Sequence, residues 1–185
     1  MSQIVLAIAL GALLWSFMEY VIHRGLGHVA RTRPNPFANE HVRHHSEGHY
    51  FAPAWKKALA AVAFTGLLCG PAVWVGGAGP GLAFVLGFVG TYLGYEVVHR
   101  RDHTRAGATR YGVWLRRHHF SHHFTDPKFN HGVTSPVWDW VFGTRRAPGV
   151  VRVPEKLAMP WLLEPATGAV RERHRKHYEL IPASR

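Results

Sequence analysis

Leu82-Ala-Phe-Val-Leu-Gly-Phe-Val-Gly-Thr-Tyr-Leu-Gly-Tyr-Glu96-Val-Val-His99-Arg-Arg-Asp-His103 is the stretch on which the fold turns. No charge occurs before Glu96, and charge and histidine then arrive together. An apolar run of this kind reads as a helix built to cross a bilayer, a task for about 20 residues. The span expected here covers about 82–98. At its end His99 and His103 lie one helical turn apart, so both imidazoles project from one face.

Working outward, a second uncharged block at about 58–75 is joined to this span by Gly76-Gly-Ala-Gly-Pro-Gly81. Helix, uncharged turn and returning helix make a membrane hairpin. Gly70-Pro71 is expected to kink its first arm, and Gly90 and Gly94 form a small-xxx-small pair suited to close helix contact. A further apolar block runs over about 3–22, broken only by Glu19. It has neither the basic start nor the small-residue end of a signal peptide, so it reads as a retained span. A buried hairpin of a soluble protein is the competing reading. The fold expected is an all-α membrane protein: three transmembrane helices and a helical cap at 24–57 and 99–150, with a basic tail at 151–185, forming a single domain over 1–185.

The chain is 47% hydrophobic yet carries 22 Lys+Arg against 11 Asp+Glu, a net charge of +11, so apolar and basic residues are segregated. Arg24, Arg31, Arg33, Arg43, Lys56 and Lys57 fill the loop after the first block, whereas the 76–81 turn has no charge. The positive-inside rule therefore puts the cap on the cytoplasmic side. Anionic lipids account for the basic excess. Nucleic acid does not, because the arginines follow no recognition pattern. Cys69 is the single cysteine, which excludes an intrachain disulfide and any cysteine-based zinc motif.

Metal chemistry must then come from histidine, and there are fifteen. His23 and His28 form a pair at the end of the first span, followed by His41, His44 and His45 as H-x2-H-H. His99 and His103 form a pair at the end of the last span, followed by His119, His122 and His123 in the same spacing. In a helix, H-x2-H-H points three rings one way. His23 and His28 are about 140° apart on an ideal helix, so they can converge only if the helix unwinds between them, which Gly25 and Gly27 permit; a broken helix end is expected there. Pair-then-triplet repeated at two span ends is not what scattered pH-sensitive histidines would show. It points to ten ligands for two metal ions.

Glu19 and Glu96 lie at span ends, close enough in sequence to hold ligand N–H groups from behind or to pair with Arg24 or Arg100. His131 is a loop residue placed to touch the site or substrate, as is His49. Asp102 reads as a charge in a basic interfacial run, and His118 as pointing off the ligand face. His174 and His177 fall in a basic stretch expected to be a solvated or headgroup-facing helix. Arg100, Arg101, Arg116 and Arg117 are candidates to hold an anionic headgroup.

The four boxes His23-Arg-Gly-Leu-Gly-His28, His41-Val-Arg-His-His45, Glu96-Val-Val-His-Arg-Arg-Asp-His103 and His119-Phe-Ser-His-His123 resemble those of the integral-membrane fatty acid hydroxylase and sterol desaturase superfamily. Asn130-His-Gly-Val-Thr-Ser-Pro-Val-Trp-Asp-Trp-Val-Phe-Gly-Thr144 is similar to the segment that follows its last box, and the histidine order is closest to the fatty acid 2-hydroxylases. The resemblance implies two iron ions held by the ten histidines, with zinc able to substitute in purified protein, and O2-dependent hydroxylation or desaturation of a membrane lipid, most simply a fatty acyl chain. It also implies a separate electron donor, either cytochrome b5-like or a ferredoxin with its reductase, since no cytochrome b5 domain is fused. Family members commonly have four spans, and three leave the substrate tunnel more open or completed by a second copy. A carotenoid or sterol ring hydroxylase or desaturase would need a wide rigid pocket instead. A membrane metal-binding or transport protein would need a charged path through the spans.

Overall fold

The computed structural model describes residues 2–182. Its helices are α1 (Ser2–Val21), α2 (Pro36–Glu47), α3 (Ala54–Gly76), α4 (Ala78–Thr104), α5 (Arg110–Phe124) and α6 (Val137–Val141), and its strands are β1 (Val151–Pro154) and β2 (Tyr178–Ile181). Two compact units divide the chain. One holds the chain up to Glu19 with Ala52–Val97, the other Tyr20–Phe51 with the chain from Val98 onward.

In the first unit Trp15, Phe88 and Tyr92 form the buried core. The Trp15 ring meets Phe88 edge-on at 5.4 Å, and the Tyr92 hydroxyl donates to the Lys57 carbonyl at 3.1 Å. No residue of α3 is buried, and Trp74 is 88% and Leu67 71% exposed. Water would penalise that much exposed apolar surface, whereas lipid does not. This excludes the soluble hairpin. Among the described residues three helices are long and apolar enough to cross a membrane, the first continuing to His28.

Two details of the hairpin differ from expectation. The turn is one residue rather than six: Gly77 alone lies between α3 and α4, at φ +75°. Only glycine adopts that conformation cheaply, and the helices resume at once because the arms touch. A Cβ on Gly81 would lie 2.6 Å from the Ala72 carbonyl oxygen. The close helix contact is not at Gly90 and Gly94 either, where a Cβ would meet nothing within 4 Å. It is at Gly11 and Gly87, where added Cβ atoms would fall 2.0 Å from the Phe84 oxygen and 2.2 Å from the Ile8 oxygen. Sequence spacing finds small residues but not which face meets a neighbour. Gly87→Ala is therefore expected to cost about 1–3 kcal/mol through overpacking, while Gly90→Ala and Gly94→Ala are neutral or gain up to about 1 kcal/mol of helix propensity. Thermal unfolding in detergent compares the three.

The second unit begins where α1 widens into a π-helical turn over Ile22–His28. α2 starts at Asn35, whose side chain accepts from Ala38 N at 2.8 Å, with Pro36 in the first turn. α5 starts at Thr109, which caps Gly112 N in the same way.

The basic tail is not a helix, and it is only partly solvated. Val151–Pro154 pairs in parallel with Tyr178–Ile181, and Val151, Val153, Met159, Leu162 and Tyr178 close a core around Phe120 of α5. His174 is buried at 7% exposure in a short 3-10 turn against Trp161. The fold is thus mostly helical with one small sheet. The tail's apolar residues cluster at 150–153 and 157–163, but the two strands are only four residues each and far apart in the chain, so no local period announced their pairing.

Candidate metal centre

The helix does not break between His23 and His28. It unwinds into i→i+5 hydrogen bonds, with Val29 N donating to the Arg24 oxygen at 3.2 Å. Residues five apart then stand one turn above another, which brings His23 and His28 to 5.2 Å between ring centroids. Gly27 serves the approach of α2, because a Cβ there would lie 3.0 Å from the His41 ring.

α2 carries His41, His44 and His45, the end of α4 carries His99 and His103, and α5 carries His119, His122 and His123. The ten fall into two groups of five: His23, His28, His41, His45 and His122, and His44, His99, His103, His119 and His123. Within each group one nitrogen per residue lies within 4.8 Å of the others. Each span end keeps four of its own histidines and exchanges one. The middle histidine of each triplet, His44 or His122, joins the opposite group. The groups adjoin through His45 and His123, whose rings stack at 4.0 Å with planes 5° apart.

These residues fit metal ions. The Nε2 atoms of His28 and His41 are 2.8 Å apart, and those of His103 and His119 are 2.9 Å apart. Two nitrogens bound at right angles to an ion, each at about 2.1 Å, stand about 3 Å from each other. The Nε2 atoms of His23, His45, His122 and His123 are buried with no hydrogen-bond partner among the described residues. Behind the rings, Nδ1–H of His122 donates to the Phe129 carbonyl at 2.7 Å, that of His44 to Tyr50 at 2.7 Å, and that of His23 to His131. Such bonds fix the tautomer with Nε2 as the lone-pair nitrogen. Burial first, then the neighbouring imidazoles, holds His41, His45, His119, His122 and His123 well below the usual imidazole range. They are neutral at physiological pH, as ligation requires.

Asp139, unmarked by the sequence reading, organises the loop that supplies two of these carbonyl acceptors. It is fully buried, and its Oδ1 accepts from His131 N and Thr144 Oγ1, both at 2.8 Å. Its Oδ2 accepts from Gly132 N at 2.7 Å and His118 Nε2 at 3.2 Å. Burial pushes the carboxyl up, but these donors outweigh it and hold the group below the usual carboxylate range. His118 thus serves Asp139 and belongs to neither group. The signal was present: one acid between two tryptophans in a basic chain.

His131 contributes its carbonyl to His23, and its Nδ1 lies 3.5 Å from Asp139. Glu96 pairs with Lys57 rather than with Arg100. Glu19 is buried within the first unit, and His49 is exposed after α2. Asp102 is no interfacial charge: it is 1% exposed and pairs with Arg116 at 3.2 Å. Arg116 also donates to the carbonyls of Arg105 and Gly112, so it is committed internally and does not face a headgroup.

A model of the fatty acid hydroxylase family matches residues 8–144. The chain is 33% identical over 150 residues to the ceramide very long chain fatty acid hydroxylase scs7 of Schizosaccharomyces pombe, covering 73% of this chain and 41% of that protein. It is 29% identical over 150 residues to the dihydroceramide fatty acyl 2-hydroxylase FAH1 of Arabidopsis thaliana, covering 78% and 62%. To the fatty acid 2-hydroxylase of Mus musculus it is 31% identical over 153 residues, covering 73% and 38%. The chain thus matches between 38% and 62% of the length of these relatives. The solved structure "Full length scs7p (only hydroxylase domain visible)" has the same fold, with a TM-score of 0.58 at 23% identity over 78% of this chain and 58% of that one. With four histidine boxes gathered into two five-imidazole groups and the family match running through all of them, the chain belongs to the fatty acid hydroxylase family.

Proposed function

We propose that this chain is an O2-dependent, non-haem di-iron hydroxylase of a membrane lipid, acting on a fatty acyl chain next to its carbonyl. The observation that carries the reading is the pair of adjoining five-imidazole groups. The names of the relatives supply the substrate class: ceramide and dihydroceramide acyl chains and fatty acids. His23, His28, His41, His45 and His122 would hold one ion, and His44, His99, His103, His119 and His123 the other. Zinc has no redox chemistry, so iron is the ion assigned. When bound, iron supplies the electron exchange by which one oxygen atom of O2 enters a C–H bond and the other leaves as water, at a cost of two electrons and two protons. The residues themselves fix the ring orientations through backbone carbonyls and keep water from the centre: His119 and His122 are 1% and 0% exposed. Phe51 closes over His99 and His103, with ring centroids at 5.8 and 5.5 Å. The basic loop at 24–57 supports a cytoplasmic position for this centre, where a separate cytochrome b5-like protein or ferredoxin would deliver electrons.

Anaerobic purification followed by metal counting, together with lipid analysis of expressing and non-expressing cells, tests the proposal. About two irons per chain and an acyl chain carrying one extra oxygen are expected, as for a two-metal site. A metal-free chain that still hydroxylates, or full activity in His122→Ala/His123→Ala, would overturn it.

A further inference from the structure

A cavity of about 500 Å³ lies within the second unit, between the start of α5 and the turn before β2. None of the ten clustered histidines lines it, and neither does any carboxylate among the described residues. Arg110, Arg117, Arg173 and Lys176 line it, with His174 and His177 beside them. Three other cations of this unit are each paired with a carboxylate: Arg116 with Asp102, Arg146 with Asp126, Arg175 with Glu172. Arg110 and Lys176 have no hydrogen bond or ion pair among the described residues. Arg117 donates one terminal nitrogen to the Pro148 carbonyl at 2.7 Å and to that of Gly149 at 3.1 Å, yet its Nε is buried with no acceptor.

Four cations around one hollow give it a positive potential that favours an anion, and a buried guanidinium N–H without a protein acceptor is a donor that such an anion's oxygen can satisfy. Arg110 also opens α5, a helix of 15 residues whose positive end adds to the field. His177 reports that field: burial first, then the Arg117 and Lys176 charges, lowers it below the usual imidazole range. A carboxylate brings one charge and two oxygens. A phosphate brings up to two charges and three free oxygens, the better match to several unpaired donors.

We propose that this cavity binds a phosphate group, carried either by a lipid headgroup or by a small soluble phosphate. Its edge at Ala106 is two residues past the end of α4, the last spanning helix. A concave site of this size suits a small group rather than the acidic face of a protein.

The full chain in phosphatidylcholine nanodiscs tests this. Inorganic pyrophosphate is titrated calorimetrically in one arm; in the other, retention of phosphatidic acid is compared with phosphatidylcholine by native mass spectrometry. Binding in the first arm alone identifies a soluble ligand, and in the second a headgroup; either supports the site. R110Q/K176Q changes two exposed side chains and is expected to weaken the responding arm at least about 10-fold, with unfolding temperature and metal content unchanged. K128Q/R145Q removes the same charge outside the cavity and is expected to leave binding within about twofold. Equal weakening by both pairs would mean surface attraction only and would overturn the site. So would the absence of binding in both arms, or an acidic protein binding where neither phosphate does.

Discussion

His122→Ala is expected to empty one of the two proposed metal positions and spare the other. His122 lies on α5 beside His119 and His123, but its Nε2 belongs to the group of His23, His28, His41 and His45. Removing it leaves four imidazoles there and all five in the neighbouring group. Iron is expected to fall from about two to about one per chain, and hydroxylation by about 100-fold or more, since even residues behind metal ligands are worth about 10–100-fold. His44→Ala is the mirror experiment, because His44 lies on α2 but joins His99, His103, His119 and His123. Metal counting at saturating iron, with spectra of each variant, distinguishes the two. If each variant instead disturbed the group formed by its helix neighbours, the exchange of middle histidines would be wrong.

The second large effect is expected at Asp139. Alanine there would strip four buried donors of their acceptor: the backbone N–H groups of His131 and Gly132, the Thr144 hydroxyl and the His118 ring. Breaking a buried, charge-assisted network costs about 3–5 kcal/mol. The loop that carries the acceptors for His23 and His122 would loosen as well, so thermal stability and iron retention should fall together. Asparagine does not rescue, because its amide turns N–H groups toward donors. The pH dependence has a definite sign. The folded carboxyl is held below its unfolded value near 4. Its stabilisation is therefore present above about pH 4 and shrinks as pH falls below it, with protons taken up on unfolding. Thermal melts of the wild type and of Asp139→Ala should converge as pH falls from about 5 toward 2. A constant gap between them would count against Asp139 as an ionised hub.

Much of this was legible because short-range geometry carries it. H-x2-H-H on a helix must present one face, and an uncharged run the length of α4 must find lipid. The pairing of His23 with His28 was half legible. Spacing required the helix to depart from its ordinary turn, but spacing cannot choose between a break and a π turn; that depends on α2 packing at Gly27. Arg116 and Asp102 were misread for a related reason. In sequence both are charges in a basic run, and only the approach of α5 to the end of α4 hides them together.

By itself the sequence determined three apolar helices and ten histidines in two pair-and-triplet sets, because helical period and bilayer thickness are properties of a single segment. The tertiary structure alone decided which five imidazoles share a group, which glycines touch, and that the basic tail folds as a strand against α5. Those outcomes rest on side chains far apart in the chain meeting in space, and no local period encodes such meetings.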